Sequence, residues 1–510
     1  MQIISRMPNS KWTFVFLTLS LVICSFSALA GDSPFDVADK AQLFVDQVLV
    51  HDSENVHFKM HAGKRHSQNP LITVDRSWEG WRLELYGTVL FDEEEQLFKM
   101  WYLASNGIDQ SETYVTCYAT SEDGLHWTKP LLKEYLTEAG EPTNIVAECH
   151  LASVIKDNKE ADPSRRYKML CHIDAPKPEG GPQTMVSPDG IHWTRLSKTY
   201  VVRSSDVLTG YFDRQRQQYV AIPKLVTKHR DHIRRCFGLS ISQDFLTWSE
   251  PYYIFKPDLR DDASSLARIE EVRSLLDVPD APDLMRTEFY GAGVYQAESC
   301  TVGFPWVFTI NNDARYGNHE GPSEIQLAVT RDLVTWERPF RTPVVPRGKP
   351  GQWDSGFFTT PAEAILVNDE VRLYYSACNF THGNPCLYRA EGTGRLSEYT
   401  GSIGLVTWKR DRFVSAKSGE LTGSLKTVPV VFSGDRLELN IQTKPKGSVV
   451  VHLHDSSGLL LAESIPVSGD HLRAPVDFPD FDISKYAGQP VYIRFQMNNC
   501  DLYSFAFRNN

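Results

Sequence analysis

Four acidic residues, Glu84, Asp206, Glu288 and Asp354, stand at or just before the starts of alternating apolar segments, and Tyr86, Tyr290 and Trp353 accompany three of them. Carboxyl groups held near one another can divide their duties. One keeps a proton to give away, and the other stays ionised to attack or to activate water. Aromatic rings such as Trp78, Trp81 and Phe357 can cover the flat face of a ligand, while Arg65, His66, Asn69, Arg315 and His319 bond its hydroxyls or carboxylates. His150 shares the strand-start position of Asp206. The chain has no Gly-rich phosphate loop, no Gly-x-Ser-x-Gly elbow and no His-Glu-x-x-His helix, so those chemistries find no support in the sequence.

The elements that must position these residues follow from a repeat. SEDGLHW (121–127), SPDGIHW (187–193), SQDFLTW (242–248) and TRDLVTW (330–336) each follow an alternating apolar run and end on a Trp. Successive Trp residues are 66, 55 and 88 positions apart, room for about four strands per unit, as in a propeller blade. Each unit reads as strands A to D, beginning at LYGTVLFD, LASVIKD, VLTGYFD, GVYQAE and AEAILVND, which gives five blades. Closing the ring needs one more strand, and Gln42 to Val50 is the expected donor, because an open edge invites aggregation. The turn phrase itself reads as a hairpin cap, with Ser or Thr and Asp bonding the backbone and Trp wedged between blades.

Loop length orients the ring. The A-to-B turns are short, whereas the B-to-C loops 311–324 and 379–401 and the D-to-A segment 256–291 are long and share one end, so binding is expected there. From residue 416 to 510 the turn phrase disappears and short strands continue, predicting a C-terminal β-sandwich after a propeller over 31–415. The expected fold is therefore all-β: a five-bladed β-propeller followed by a β-sandwich. Residues 1–30 carry basic residues, an apolar run and Ala-Leu-Ala, the pattern of a signal peptide, which predicts a secreted or periplasmic protein that is free of the membrane after cleavage. A net charge of -11 without a basic block argues against nucleic acid, and the expected state is a monomer. Most cysteines read as buried thiols; Cys378 and Cys386, flanking one loop, leave a local disulfide open.

A five-bladed propeller behind a signal peptide and before a sandwich resembles the secreted furanosidase-type glycoside hydrolases of families 32 and 43. SSDV (204–207) is similar to an Arg-Asp-Pro element with Asp206 as the matching acid, and HEGP (319–322) contains the Glu-Gly-Pro of family 43. The family 32 signature Trp-x-Asn-Asp-Pro-x-Gly is replaced here by WRLELYGTV (81–89). The resemblance implies hydrolysis of a poly- or oligosaccharide at the axis of the ring by Asp206, Asp354 and either Glu84 or Glu288 as proton donor. It also implies substrate contacts from Trp78, Trp81, Tyr86, His150, Tyr290, Arg315, His319 and Trp353. No cofactor is expected, apart from a structural ion that His150 could help to hold, as similar propellers sometimes do. The missing signature keeps open a carbohydrate-binding propeller without catalysis, while a phosphorylase fits poorly with an export signal.

Overall fold

The structure is a computed structural model and describes residues 34–105, 114–314, 318–383 and 399–509. The expected signal peptide, Arg315 and Cys386 lie outside the described residues. Five antiparallel sheets form a ring. Their first three strands are Leu83–Asp92, Leu97–Ser105 and Tyr114–Ser121 in blade 1, and His150–Lys156, Tyr167–Ile173 and Gly181–Ser187 in blade 2. Blade 3 begins with Leu208–Asp213, Gln218–His229 and His232–Ser242, and blade 4 with Arg286–Gln296 and Thr301–Ile310. Blade 5 is built on Glu370–Cys378 and Gly401–Lys409, with Phe358–Thr359 and Ile365–Val367 on its inner edge.

The inner strands are stitched into a closed circle. Val154 N donates to Thr88 Oγ1 at 2.7 Å, Gly210 N to Ser153 Oγ at 2.9 Å, and Thr209 Oγ1 to the Ala292 carbonyl. Val294 N then donates to Ala362 O, and Ala362 N to Gly87 O, both at 2.9 Å. Each bond links one blade to the next, and the fifth returns to the first. Gly87 can occupy that joint because a Cβ there would collide with the Trp101 carbonyl.

At the opposite end of each hairpin the turn phrase acts as a cap. Asp123, Asp189, Asp244 and Asp332 each accept from the backbone N–H groups two and three residues on, at 2.6–3.0 Å. The cap of one blade docks on the blade before it: Trp101 Nε1 donates to Gly190 O and the Tyr374 hydroxyl donates to Gly124 O, both at 2.8 Å. A buried aromatic from the neighbour thus completes these two joints, and burying such a ring is among the larger single contributions to a β core.

Two expectations about the edges need correction. The ring is closed by Lys64–Arg65 pairing with Gly401–Lys409, whereas Gln42–Leu43 pairs with Val491–Arg508 in the C-terminal sheet. Polar anchors, invisible to an alternation pattern, set this register: Asn69 bonds the backbone of Leu405 in both directions at 2.9 Å, and Trp408 Nε1 donates to His61 O at 2.8 Å. Likewise Val414–Ser418, at the end of the expected propeller, pairs with Val56–Met60 and Val491–Arg508 in the C-terminal sheet. In blade 1, the segment after Trp127 touches its neighbour at a single bridge, Thr120 to Thr128, and Ile145–Ala147 completes the sheet.

The C-terminal strands form one 11-stranded sheet built on two long partners, Arg436–Asp455 and Val491–Arg508. Both alternate buried and open positions, so a single face carries the core of Leu437, Leu439, Ile441, Val449, Val451, Ile493, Phe495 and Phe507. N-terminal strands Phe35–Ala38, Val50–Glu54 and Val56–Met60 belong to this sheet, so the chain begins and ends in it. Its seam with the propeller includes polar bonds: Arg412 bonds Asn440 and the Ile441 carbonyl, and Glu298 receives Arg410 and Arg508.

Candidate functional site

Where the inner strands begin, the axis of the ring widens into a cavity of about 230 Å³. Three register shifts deliver its walls. They fall between Glu84 and Thr88 in blade 1, between His150 and Ser153 in blade 2, and between Phe289 and Ala292 in blade 4. A bulge inserts extra residues on one strand and re-aims the side chains around it. The residues re-aimed here, Glu84, Tyr86, His150, Leu151 and Tyr290, all line the cavity. Arg82, Leu103, Tyr114, Asp206, Val207, Asn318, Phe357, Phe380 and His382 complete it.

Asp206 is half-exposed, and the solvent it meets is that of the cavity. Partial burial pushes its carboxyl up, but the ion pair with Lys224 and the Val207 N–H at 2.7 Å outweigh burial and hold it well below the usual range. Lys224 is itself buried within the strand Gln218–His229, beneath the Tyr290 ring at 4.1 Å; desolvation pulls its ammonium down despite Asp206. Glu84, nearly buried, has Arg82 Nη2 at 3.6 Å.

His382 fixes the far wall. Its Nδ1 stands 2.9 Å from the His319 carbonyl, which can only accept, so that nitrogen carries the proton. Burial, helped by the nearby Arg235, holds the ring down at about 3, and a neutral ring then accepts at Nε2 from the Tyr290 hydroxyl at 3.0 Å. The Tyr290 oxygen is thereby left to accept, not donate, toward the cavity. Burial raises Tyr86 and Tyr290 far above the ordinary phenol range, so both stay protonated.

The structure brings Glu84, Asp206, Tyr86, His150, Tyr290 and Phe357 together; the other expected site residues among those described lie elsewhere. Asp354 is buried away from the cavity, paired with Arg65 and accepting from the Tyr375 hydroxyl at 3.0 Å. It serves the closing strand; burial raises its carboxyl, opposed by Arg65. Glu288 is clamped by Arg235 at 2.6 Å and Arg286 at 2.8 Å and lies outside the lining. Trp78 donates to Asn144 at 2.7 Å inside the blade 1 core, and Trp353 stacks on Tyr375. Trp81 backs the rim through Phe380 and Arg82. His319 turns to Asp313 at 2.8 Å and presents its carbonyl to His382. None of Trp127, Trp193, Trp248 and Trp336 lines the cavity.

Alternation alone misses Arg82, Tyr114, Lys224 and His382. Lys224 had a signal, a lone cation in the apolar run YVAIPKLV that must find a counter-ion if the strand is buried. Glu320 of HEGP is also absent from the lining: it sits behind the His382 wall, where burial pushes its carboxyl up to about 7 against the Thr381 hydroxyl bond.

No protein-family model matches the chain, and no curated protein matches it. Solved structures similar to it include a glycoside hydrolase, at 14% identity over 70% of this chain and 94% of that one with a TM-score of 0.41. A family 43 arabinoxylan arabinofuranohydrolase from Bacillus subtilis in complex with cellotetraose is 10% identical over 88% of this chain and 99% of that one, TM-score 0.37. An N-acetylgalactosamine deacetylase from F. plautii in complex with blood group B trisaccharide is 16% identical over 75% of this chain and 96% of that one, TM-score 0.40.

Proposed function

We propose that the chain is a glycoside hydrolase working in the axial cavity, with Asp206 as the ionised carboxylate and Glu84 as the proton donor. One observation carries the reading: two carboxyl groups from blades 1 and 3 line a single cavity whose other walls include Tyr86, Tyr290, Phe357 and Phe380. Cleaving a glycosidic bond needs one carboxylate to attack or to activate water and one carboxyl to protonate the leaving oxygen. Lys224 and the Val207 N–H keep Asp206 in the first state. The aromatic walls suit a sugar face, and Arg82, Asn318 and His150 are placed for its hydroxyls. The cavity among the described residues, about 230 Å³, has room for a sugar unit against these walls. The C-terminal unit, read as a β-sandwich, supports the ring and stays out of the chemistry.

A second reading, sugar binding without hydrolysis, is favoured by Arg82, whose Nη2 stands 3.6 Å from Glu84 and engages the carboxyl group that the first reading needs as donor. Incubating the protein with a panel of aryl glycosides and of plant and marine polysaccharides decides between them. Release of reducing sugar that Glu84→Gln abolishes supports the hydrolase. Saturable binding without release from any member supports the binding module instead.

A further inference from the structure

The cavity wall of blade 2 holds a second constellation with its own chemistry. His150 and His172 face one another across the first two strands, their ring centroids 4.7 Å apart, edge to face. Asp174 follows the strand Tyr167–Ile173 and turns back to them, its Oδ1 3.1 Å from His150 Nε2 and 3.6 Å from His172 Nε2. One donor atom from each of the three lies within 4.8 Å of the others. Among the described residues this is the one such group of three.

We propose that His150, His172 and Asp174 bind a divalent transition metal of the zinc class at the edge of the axial cavity. The donor spacing is the first reason. Ligands about 2.0–2.1 Å from a tetrahedral zinc stand about 3.4 Å from one another, and the two nitrogen–oxygen separations bracket that value. An orphaned atom is the second. His150 Nε2 is buried without a hydrogen bond, with the Asp174 carboxylate 3.1 Å away. A buried imidazole nitrogen left unsatisfied costs free energy that a ligand would recover. The donor type is the third: two imidazoles and one carboxylate suit zinc or its neighbours, whereas calcium and magnesium want six or more oxygen ligands.

Preorganisation points the same way. The bulge between His150 and Ser153 sets the His150 ring, and Tyr114 stacks on it at 5.1 Å and 7°. Three protein ligands leave a fourth position, which is the pattern of zinc sites that bind a water or a substrate oxygen. Of the three ligands, His150 also lines the axial cavity. The site goes beyond the glycosidase reading and does not depend on it, since a binding propeller would hold the same metal.

The test uses the full chain with any affinity tag removed, stripped by a chelator, then titrated with zinc chloride by calorimetry and with cobalt(II) chloride by visible absorption. The expected result is one equivalent per chain and the intense visible bands of tetrahedral cobalt. His172→Ala and Asp174→Ala should each weaken zinc binding by more than about 100-fold, since even changes behind the ligands cost up to that much. His172→Asn, which keeps a polar side chain of similar size, replaces the alanine variant if circular dichroism shows that the latter fails to fold. Substoichiometric uptake, a pale octahedral cobalt spectrum, or equal affinity in a folded His172 or Asp174 variant would overturn the proposal. None of these readouts involves hydrolysis, so the metal site and the glycosidase reading can fail separately.

Discussion

At the turn end of the ring, Asp123 and Asp189 bond the backbone two and three residues on, and His126 and His192 bond the same carboxylates at 2.7 and 2.6 Å. At the cavity end the same residue types behave otherwise. Asp206 reaches Lys224 on another strand, His382 reaches Tyr290 in a different blade, and His150 meets Asp174 past the end of its partner strand. An acid satisfied inside its own turn has spent its hydrogen-bonding capacity on local structure. An acid satisfied from one side by a distant group keeps its other side for a ligand. Sequence locality of the partner, more than the residue type, separates the turn end of this propeller from the cavity end.

The largest expected effect sharpens that contrast on the cavity side. Glu84→Gln should lower kcat on a cleaved glycoside by about 10²–10⁴-fold, the usual contribution of a proton donor, with the melting curve little changed. On the turn side the loss should appear in stability instead. Trp101 is fully buried and holds the blade 2 cap through Gly190, so Trp101→Ala should cost about 3–5 kcal/mol in urea titrations while KM of the folded fraction stays put.

Glu320 gives a pH test that belongs to neither end. Its carboxyl is raised from 4.5 to about 7, so the folded state holds a proton that the unfolded state releases in that interval. Stability from this group is full below pH 4.5 and is lost as pH rises through about 7, by an amount of order 3 kcal/mol. Glu320→Gln should flatten this slope in melting curves between those pH values; an unchanged slope would assign it to other groups.

The smallest effect is a single cap. Asp244 is held down to about 2, chiefly by the Thr247 and Leu246 N–H groups, so its contribution is present above pH 3.8 and disappears as pH falls toward 2. Asp244→Ala should cost about 1–2 kcal/mol at neutral pH and nothing near pH 2, as chemical denaturation at the two pH values would show.

Much of this ring was legible in the chain. Strict alternation and a phrase that must cap a hairpin located the inner strands of blades 1 to 3 and the face on which long loops gather. The closing strand was not legible, because Lys64–Arg65 is two residues long and is placed by Asn69 and Trp408, not by an apolar pattern. Gln42 to Val50 misled for a related reason: Leu43 and Val45 pack into the propeller core and Phe44 into the C-terminal one, so a strand wedged between two units alternates as well as a blade strand does. Of the acids singled out by position at a strand start, Glu84 and Asp206 line the cavity. Asp354 was placed by the same rule and missed, since its loop turns it back to Arg65. The bulges at Glu84, His150 and Phe289 break the alternation where the cavity forms, and a two-residue period cannot report its own interruption.

The most direct test of the contrast is a matched pair of variants, Asp206→Asn and Asp244→Asn, assayed for kcat on the same glycoside. Both replace one carboxylate by its amide in a folded chain, one at the cavity and one in a cap. The account predicts that Asp206→Asn loses at least about 100-fold in kcat while Asp244→Asn keeps wild-type turnover. Equal turnover in the two variants, or a larger loss in Asp244→Asn, would contradict it.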